Sequence, residues 1–274
     1  MHHLSLRAPR GKLSYSPLAR SGAQAIDLSW PRSGQCVRKS PSCILPRVTT
    51  KGVIFDFAGT LFHHDRESEW LEDLPEPKGN WDAAEKKAFQ HRFATPDRLS
   101  KGLPAEARAA WERRDLHPDL HRTAYLSLLH AAGVDEPAVR QALYERLIDP
   151  SYWKPYQDAL LALRKLDELS VPVTVVSNIA WDIRPVFDLH SMTHLVSGVL
   201  MSYREGAMKP DPQMFLSACE NMGIPPQDAL MVGDDERSDG GAAALGIAVS
   251  IVPPLRPGNR CGALLSALAA HGLA

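Results

Sequence analysis

The 274-residue sequence predicts an α/β fold: a doubly wound, mostly parallel sheet, with a block of helices inserted after the first strand. From about residue 155 onward, short apolar runs rich in β-branched residues alternate with helical patterns. One earlier run of the same kind, at residues 52–55, is separated from the others by a long stretch of purely helical pattern. Several of the runs end in hydrophilic residues, as strands of open α/β sheets do at their ligand-binding edge.

The first strand is predicted over Gly52–Phe55, where small and apolar residues indicate a strand that is buried on both faces. Asp56 follows directly, and Gly59 and Thr60 then break the strand pattern. The break places a carboxylate at the carboxyl end of a buried strand. Taken alone, this arrangement is equally typical of a strand that ends in a solvated aspartate.

A helical insert is predicted over residues 65–154, about ninety residues, which is close to the size of a small domain. Apolar residues recur there at spacings of three and four, and Pro, Gly and Asp separate the helices. The four predicted helices span Trp81–Phe93, Ala105–Arg114, Leu120–Ala132 and Glu136–Leu147. The chain on either side, residues 51–64 and 155–274, is predicted to form one core domain.

From residue 155 the two patterns alternate, which predicts right-handed crossover connections and parallel strand pairing. Helices are predicted at Gln157–Glu168, Ile183–His190, Gln213–Met222, Gly240–Leu245 and Ala263–Ala270. Apolar runs with the character of strands lie at Val171–Val176, Leu195–Leu200, Ala229–Val232 and Ala248–Val252.

Residues 1–50 are predicted to be a disordered extension, because they are rich in Ser, Pro, Arg and Gly and have no sustained period. Residues 1–51 carry nine Lys or Arg and a single acid, Asp27. We favour a mis-assigned start, with the true start near Val48, over a genuine tail. An organellar transit peptide is the third explanation. We therefore expect a cytoplasmic protein, with organellar targeting as the lesser alternative.

The rest of the chain is acidic, although the whole sequence has a net charge of only -1. An acidic body argues against nucleic acid as a partner. No run of eighteen apolar residues is present in the sequence, so we expect no membrane span. The four cysteines have no metal-like spacing, and we expect free thiols in a reducing compartment. We expect a monomer or a homodimer.

Four positions bring chemically related groups to one edge of the predicted sheet. Asp56, Ser177 and the pair Asp234-Asp235 each end a predicted strand, and Lys209 precedes a helix that starts near the same edge. Two acids from different strands are suited to Mg²⁺, which prefers oxygen ligands. The metal and the lysine would screen the repulsion between a carboxylate nucleophile and an anionic phosphoryl group. Backbone N–H groups at Gly59-Thr60 can cradle its oxygens.

At these positions the sequence resembles the haloacid dehalogenase superfamily. The matching motifs are FDFAGTL at residues 55–61, VVSN at 175–178, KPDP at 209–212 and MVGDD at 231–235 with Asp239 after it. One such motif is weak support, whereas four in the family's order and spacing are strong. The resemblance covers roughly residues 52–252 and implies a Rossmann-like core with the helical insert as a cap domain.

The resemblance also implies a role for each matched position. Asp56 would attack a small phosphorylated metabolite and carry an aspartyl-phosphate intermediate. Ser177 and Lys209 would bind the transferred phosphoryl group, and Lys209 would also pair with Asp56.

Mg²⁺ is the implied cofactor, and its implied ligands are Asp56, the backbone carbonyl of Ala58, Asp234 and, directly or through water, Asp235 and Asp239. Further contacts to phosphate or substrate are expected from Gly59, Thr60, Asn178 and Arg184. Two of these residues have simpler explanations: Asp239 can cap the next helix, and Arg184 can be an ordinary surface arginine.

One position departs from the phosphatases of the superfamily, which have a second aspartate two residues after the nucleophile. That aspartate acts as the acid and base of the reaction, and here the position is Ala58. General acid–base catalysis is typically worth about 10²–10⁴-fold in rate. The substitution therefore weakens the interpretation as a simple phosphatase.

Four explanations of Ala58 remain open. Phosphonoacetaldehyde hydrolases also have alanine there but need a cap lysine, for which Lys78, Lys86, Lys87 and Lys101 are available. The 2-haloacid dehalogenases lack the second aspartate too, yet they require no metal. A residue near the insert, His63, His64 or Asp65, can replace the acid. Finally, the protein can be a catalytically impaired member that binds a ligand or a partner.

Overall fold

The structure is a computed structural model that describes residues 50–65, 70–75, 81–255 and 257–273. The extension predicted over residues 1–50 lies outside these residues, apart from Thr50, and so does Lys78. Among the described residues, every helix is too short or too polar to cross a lipid bilayer.

A five-stranded sheet forms the centre of the protein. Its strands in chain order are β1 (Gly52–Phe55), β4 (Val173–Ser177), β5 (Gly198–Met201), β6 (Ala229–Gly233) and β7 (Ala248–Ile251). They are arranged in space as β5-β4-β1-β6-β7, and all neighbours pair in parallel. The predicted fold class, a Rossmann-like parallel sheet with an inserted set of helices, is confirmed.

Strand β1 is fully buried because it lies at the centre of the sheet and helices cover both faces. Val53 and Phe55 point to one face, where they pack in a cluster with residues of α6 (Ala159–Glu168) and α10 (Ala263–Ala270). Ile54 points to the other face and packs with residues of α9 (Pro212–Met222). This alternation follows from the two-residue period of a strand.

The remaining core helices are short. They are α7 (Arg184–Leu189) and α8 (Ser202–Glu205), and residues Gly240–Leu245 form a 3₁₀ helix where a short helix is predicted. Helix α9 begins at Pro212, whose fixed φ and missing N–H suit the first helical position. The predicted bounds of α10 are confirmed at both ends.

The insert is helical, as predicted. It contains α1 (Ala83–Phe93), α2 (Pro96–Ser100), α3 (Ala105–Glu112), α4 (Pro118–Ala131) and α5 (Pro137–Ile148). These helices enclose a hydrophobic cluster of their own, with Trp70, Phe89, Phe93, Leu128 and Leu143 among its most buried members. A separate cluster of this kind is typical of a small domain.

A two-stranded antiparallel ribbon joins the insert to the core. Strands β2 (Phe62–His64) and β3 (Trp153–Pro155) pair so that His63 lies opposite Lys154. The sequence analysis did not predict this ribbon, because strands of three residues are too short to show a two-residue period.

The insert also contacts the core through Ser202, which is fully buried. Its hydroxyl donates a hydrogen bond to the backbone carbonyl of Asp115, in the insert, at 2.5 Å. The same oxygen accepts the backbone N–H of Ile179, in the core, at 2.8 Å. One side chain thus connects the two parts of the chain beyond the ribbon.

Candidate active site

The ends of three neighbouring strands define the site. Asp56 follows β1, Ser177 ends β4 and Asp234 follows β6. Since β4 and β6 both pair with β1, these residues lie at adjacent positions on one edge of the sheet. This is the carboxyl edge, where open α/β sheets bind their ligands.

Lys209 binds two buried carboxylates at this edge. Its Nζ lies 2.7 Å from Oδ1 of Asp56 and 2.6 Å from Oδ1 of Asp239. All three side chains are at least nine-tenths buried. The other oxygen of Asp56, Oδ2, is buried and has no hydrogen-bond partner among the described residues.

Burial and the neighbouring charges shift the pKa values of the ionisable groups at this edge. Burial raises the pKa of Asp56, although the Lys209 ammonium acts in the opposite direction. Burial lowers the pKa of Lys209, but the carboxylates of Asp56 and Asp239 outweigh that effect, so the pKa of Lys209 is raised overall. Burial, together with the nearby carboxylates of Asp56 and Asp239, raises the pKa of Asp234 to about 8. An uncompensated excess of negative charge therefore collects beside Asp234.

Asn178 holds the backbone of Lys209. Its side-chain amide donates to the Lys209 carbonyl at 2.8 Å, and its side-chain oxygen accepts the Lys209 N–H at 2.7 Å. The two hydrogen bonds use both ends of one amide group, so they fix the position of the lysine relative to the end of β4. Asn178 was predicted to contact phosphate or substrate. In this structure its side chain hydrogen-bonds the backbone of Lys209.

Two glycines allow the carboxylates to approach the backbone. Gly59 has a φ of +87°, and a Cβ at this position would lie 2.3 Å from Oδ2 of Asp234. At Gly233 a Cβ would lie 2.1 Å from Oδ2 of Asp239. Any side chain at either position would displace a carboxylate of the site.

The carboxylates can accommodate a hard cation. One oxygen from each of Asp56, Asp234 and Asp239 lies within 4.8 Å of the others. The carboxylates of Asp56 and Asp239 contribute to the raised pKa of Asp234, and such mutual repulsion is expected of a group of acids that binds a cation. Carboxylate oxygens are the ligands that Mg²⁺ prefers. The residues present therefore fit the implied metal.

The structure does not bring Asp235 into this cluster. Its side chain is exposed, and its Oδ1 accepts the backbone N–H of Arg237 at 2.7 Å. Aspartate commonly captures a backbone N–H two residues later in this way. The prediction of a ligand role took Asp234 and Asp235 together, whereas the backbone turns the second carboxylate toward the following turn.

Arg184 is also placed differently from the expectation. Its guanidinium donates to both carboxylate oxygens of Asp182, at distances between 2.5 and 3.2 Å, and its side chain is half exposed. Asp182 also forms an ion pair with Arg204, at 3.4 Å. The structure thus places Arg184 in a surface ion-pair group rather than in the buried cluster of acids.

The turn after β1 holds the remaining predicted positions. Ser177 and Thr60 are buried, and Oγ1 of Thr60 has no hydrogen-bond partner among the described residues. The N–H of Gly59 donates to the carbonyl of Phe62 at 2.8 Å, so that N–H is used within the turn rather than free for a phosphate. Ala58 is exposed, and its methyl group adds no polar atom to the site.

The three residues considered as a replacement acid lie on or beside the ribbon. His64 is bonded through Nε2 to the carbonyl of Arg146 at 3.1 Å and stacks on Tyr152. The ring of His63 packs edge-on against Tyr156, with 5.1 Å between ring centroids. The backbone N–H of Asp65 donates to the carbonyl of Tyr152.

Sequence reasoning missed Arg260. It is 2% exposed, and its guanidinium donates to the carbonyls of Gly59 and Thr60 in the turn after the candidate nucleophile. Two hundred residues separate donor and acceptor, and Arg260 follows a Pro- and Gly-rich segment without a regular pattern. A basic residue in such a segment gives no signal of its own.

Comparisons with known proteins identify the family of the chain. Residues 50–246 match the family model of the haloacid dehalogenase-like hydrolases. A glyceraldehyde 3-phosphate phosphatase of Methanopyrus kandleri is 27% identical over 191 residues, 67% of this chain and 75% of the relative. A phosphoserine phosphatase of Thermus thermophilus is 33% identical over 177 residues, 62% of this chain and 65% of the relative, just under two thirds.

Solved structures agree in fold. The L-2-haloacid dehalogenase of Xanthobacter autotrophicus superposes with a TM-score of 0.55 at 21% identity, covering 79% of this chain and 82% of that one. Another dehalogenase superposes with a TM-score of 0.57 at 18% identity, covering 81% and 97%. Because the family model covers most of the chain, the protein belongs to the haloacid dehalogenase-like hydrolases.

Proposed function

We propose that the protein is a Mg²⁺-dependent hydrolase of small phosphoesters in which Asp56 is the nucleophile. The observation that carries this proposal is the asymmetry of the Asp56 carboxylate. Lys209 holds Oδ1 at 2.7 Å, while the buried Oδ2 has no hydrogen-bond partner among the described residues. A carboxylate fixed through one oxygen presents the other to an incoming electrophile.

In the proposed first step, Oδ2 of Asp56 forms a bond to the phosphorus of the substrate. The bond from phosphorus to the ester oxygen breaks, and the leaving alkoxide takes up a proton from the solvent as the alcohol is released. In the second step, water attacks the phosphorus of the aspartyl phosphate and loses a proton to the solvent, which balances the proton taken up in the first step. Inorganic phosphate leaves and the Asp56 carboxylate is restored.

Lys209 contributes charge and orientation. Its ammonium is held by Asp56 and Asp239, and Asn178 holds its backbone, so the lysine would present a fixed positive charge to the transferred group. Mg²⁺ held by Asp56, Asp234 and Asp239 would supply the further positive charge that an approaching phosphoryl group requires. Ser177, at the end of β4, would donate a hydrogen bond from its hydroxyl to a phosphoryl oxygen.

The two phosphatase relatives support the phosphoryl class of substrate. One is named for glyceraldehyde 3-phosphate and the other for phosphoserine, both small phosphorylated metabolites. We propose the same class here. A monomer or homodimer in the cytoplasm stays our prediction for assembly and location.

Two of the alternative explanations are less well supported. Lys86 bonds Glu72 at 2.6 Å, and Lys87 and Lys101 are exposed, so these three lysines offer no buried amine of the kind that imine chemistry needs. The group of acids around Asp234 fits a metal site, which the dehalogenases do not require, so it favours the phosphatase interpretation. A ligand-binding member without turnover stays a second candidate, because Ala58 provides no proton donor.

The test is phosphate release from a panel of small phosphoesters and phosphonates, with and without Mg²⁺. Wild type would be compared with Ala58→Asp, which introduces a carboxyl at an exposed position. We expect Mg²⁺-dependent turnover by wild type and an increase of about 10²-fold or more in Ala58→Asp. Tight binding of a phosphate analogue, with turnover absent from both proteins, would favour the ligand-binding candidate.

A further inference from the structure

Arg260 joins three segments of the chain behind the candidate nucleophile. Its guanidinium donates through Nη1 to the carbonyl of Gly59 at 2.5 Å and through Nη2 to the carbonyl of Thr60. Its plane lies over the ring of Tyr156, 3.5 Å from the ring centroid. The two carbonyls belong to consecutive residues, so the fork of the guanidinium matches them as a pair.

The partners of Arg260 are themselves held in place. Asp158 lies 4.0 Å from its Nη2, and the other oxygen of Asp158 accepts the backbone N–H of Leu264 at 2.8 Å. The backbone N–H of Tyr156 donates to the carbonyl of Leu61, the residue after Thr60, at 3.0 Å. The arginine therefore lies between the start of α10, the end of the ribbon and the turn after β1.

The turn that Arg260 holds determines the geometry of the acids. Gly59 lies so close to Asp234 that a Cβ on it would be 2.3 Å from Oδ2 of that residue. Asp56 precedes Gly59 by three residues. A shift of the turn would therefore move the nucleophile and the contact with Asp234 together.

We propose that Arg260 is a positioning residue for hydrolysis: it acts through the carbonyls of Gly59 and Thr60 to fix the Asp56 carboxylate for attack. The proposal rests on the proposed function at Asp56. Arg260 lies beyond residue 246, where the match to the family model ends. Its hydrogen bonds go to the backbone of the turn and its ring contact goes to Tyr156, so the role proposed for it is to hold the geometry of the turn.

The test compares Arg260→Lys with Arg140→Lys. Lysine keeps the charge but cannot place two coplanar donors on two carbonyls or stack flat on Tyr156. Arg140 is the matched control, because its Nη1 also donates to two consecutive backbone carbonyls, those of Val134 and Asp135, but in the insert. Steady-state kinetics of phosphate release and hydrogen exchange of residues 57–62 would be measured for both.

For Arg260→Lys we expect a fall in kcat of about tenfold or more with KM changed by less than about threefold, because only the reacting geometry is lost. Exchange of the Leu61 and Phe62 N–H groups, which donate to the Phe57 carbonyl, should become faster. Arg140→Lys should leave both quantities unchanged. If Arg260→Lys does not fold, Tyr156→Leu, which removes the stacking surface, should lower kcat in the same direction.

A kcat for Arg260→Lys within about twofold of wild type would overturn the proposal, and so would a lower kcat with unchanged exchange in residues 57–62. If wild type releases no phosphate at all, the proposed function fails. Hydrogen exchange then still decides whether Arg260 fixes the turn, and unchanged exchange in Arg260→Lys overturns that inference separately.

Discussion

At the scale of single residues, the positive charge of Lys209 compensates the buried carboxylates of Asp56 and Asp239. Its side chain is 2% exposed, and its ammonium lies within 2.7 Å of carboxylate oxygens from both Asp56 and Asp239. Removing one partner of a buried ion pair leaves uncompensated charge, which typically costs about 3–5 kcal/mol. The lysine is therefore important for folding as well as for the proposed chemistry.

We expect Lys209→Met to lower the free energy of unfolding by about 3 kcal/mol or more, measured by urea denaturation without metal. Added Mg²⁺ should recover part of the loss, because a cation among the acids replaces the missing charge. Lys51→Met is the matched control, since Lys51 pairs with Asp228 at 2.7 Å on the surface, where such pairs contribute about 0–1 kcal/mol. Equal losses in the two variants would contradict this account.

Residue-level prediction succeeded where a side chain follows a buried strand. The strand patterns alone indicate that Asp56, Ser177 and Asp234 share an edge, and the structure brings them there. It failed where a local partner competes for the side chain: Asp182 binds Arg184, and the turn after Asp235 binds that carboxylate. Such local hydrogen bonds depend on backbone angles that a strand or helix pattern does not specify.

At the scale of elements, the turn after β1 is the most constrained feature. Gly59 and Gly206 both have positive φ, +87° and +69°, so an alanine at either position is strained. They differ in their surroundings: a Cβ on Gly59 meets Asp234 at 2.3 Å, while a Cβ on Gly206 has nothing within 4 Å.

We expect Gly59→Ala and Gly206→Ala each to lose about 1–2 kcal/mol of stability from backbone strain. Only Gly59→Ala should also lose Mg²⁺ affinity, measured by isothermal titration calorimetry, because its methyl group displaces the Asp234 carboxylate. Unchanged Mg²⁺ affinity in Gly59→Ala would show that the turn and the group of acids are not coupled as described.

Helix α4 contains a buried histidine whose titration should affect stability. Nδ1 of His121 lies 3.1 Å from the hydroxyl of Tyr144, and burial, with a smaller effect of the Arg114 charge, lowers the pKa of His121 from 6.5 to about 3. Below about pH 6.5 the unfolded chain binds a proton that the folded chain does not. The contribution of His121 to stability is therefore present above pH 6.5 and is lost as the pH falls toward about 3.

We expect the stability advantage of wild type over His121→Gln to shrink by up to about 1.4 kcal/mol for each pH unit below 6.5, because glutamine takes up no proton. Urea denaturation of both proteins at pH 7 and pH 5 measures the difference. A difference that stays constant with pH would contradict the assignment of a neutral, buried His121.

Element-level prediction was most accurate where apolar periodicity continues for several turns or a full strand. Helix α10 was predicted at both ends, and the strands β4 and β6 within two residues. The ribbon of β2 and β3 was missed, because pairing with a distant segment rather than local pattern makes those three-residue strands. Arg260 was missed for the same reason: its partners lie two hundred residues away.

At the scale of the whole molecule, the described part of the insert contacts the core at more than one place. The ribbon joins the insert to the core, and the Ser202 hydroxyl bonds the insert's Asp115 and the core's Ile179. Ile179 follows Asn178, which fixes the backbone of Lys209. The insert is thus bonded, through Ser202, to the residue that follows Asn178, the side chain that holds the backbone of Lys209.

The organisation of the chain follows from these contacts. The sheet places the acids, Arg260 holds the turn that follows the proposed nucleophile, and the ribbon carries the helices that would cover a bound substrate. Enclosure by such a cover would exclude water from the first step of the proposed reaction. Asp56 is the residue on which all of these features converge.

The most direct test of the proposed nucleophile is acid quenching during turnover, followed by mass spectrometry of the peptide that contains Asp56. The substrate would be the phosphoester that wild type hydrolyses fastest with Mg²⁺. We predict a phosphoryl group on Asp56 in wild type, and neither that group nor phosphate release in Asp56→Asn. Phosphate release by Asp56→Asn at the wild-type rate would contradict the proposed mechanism.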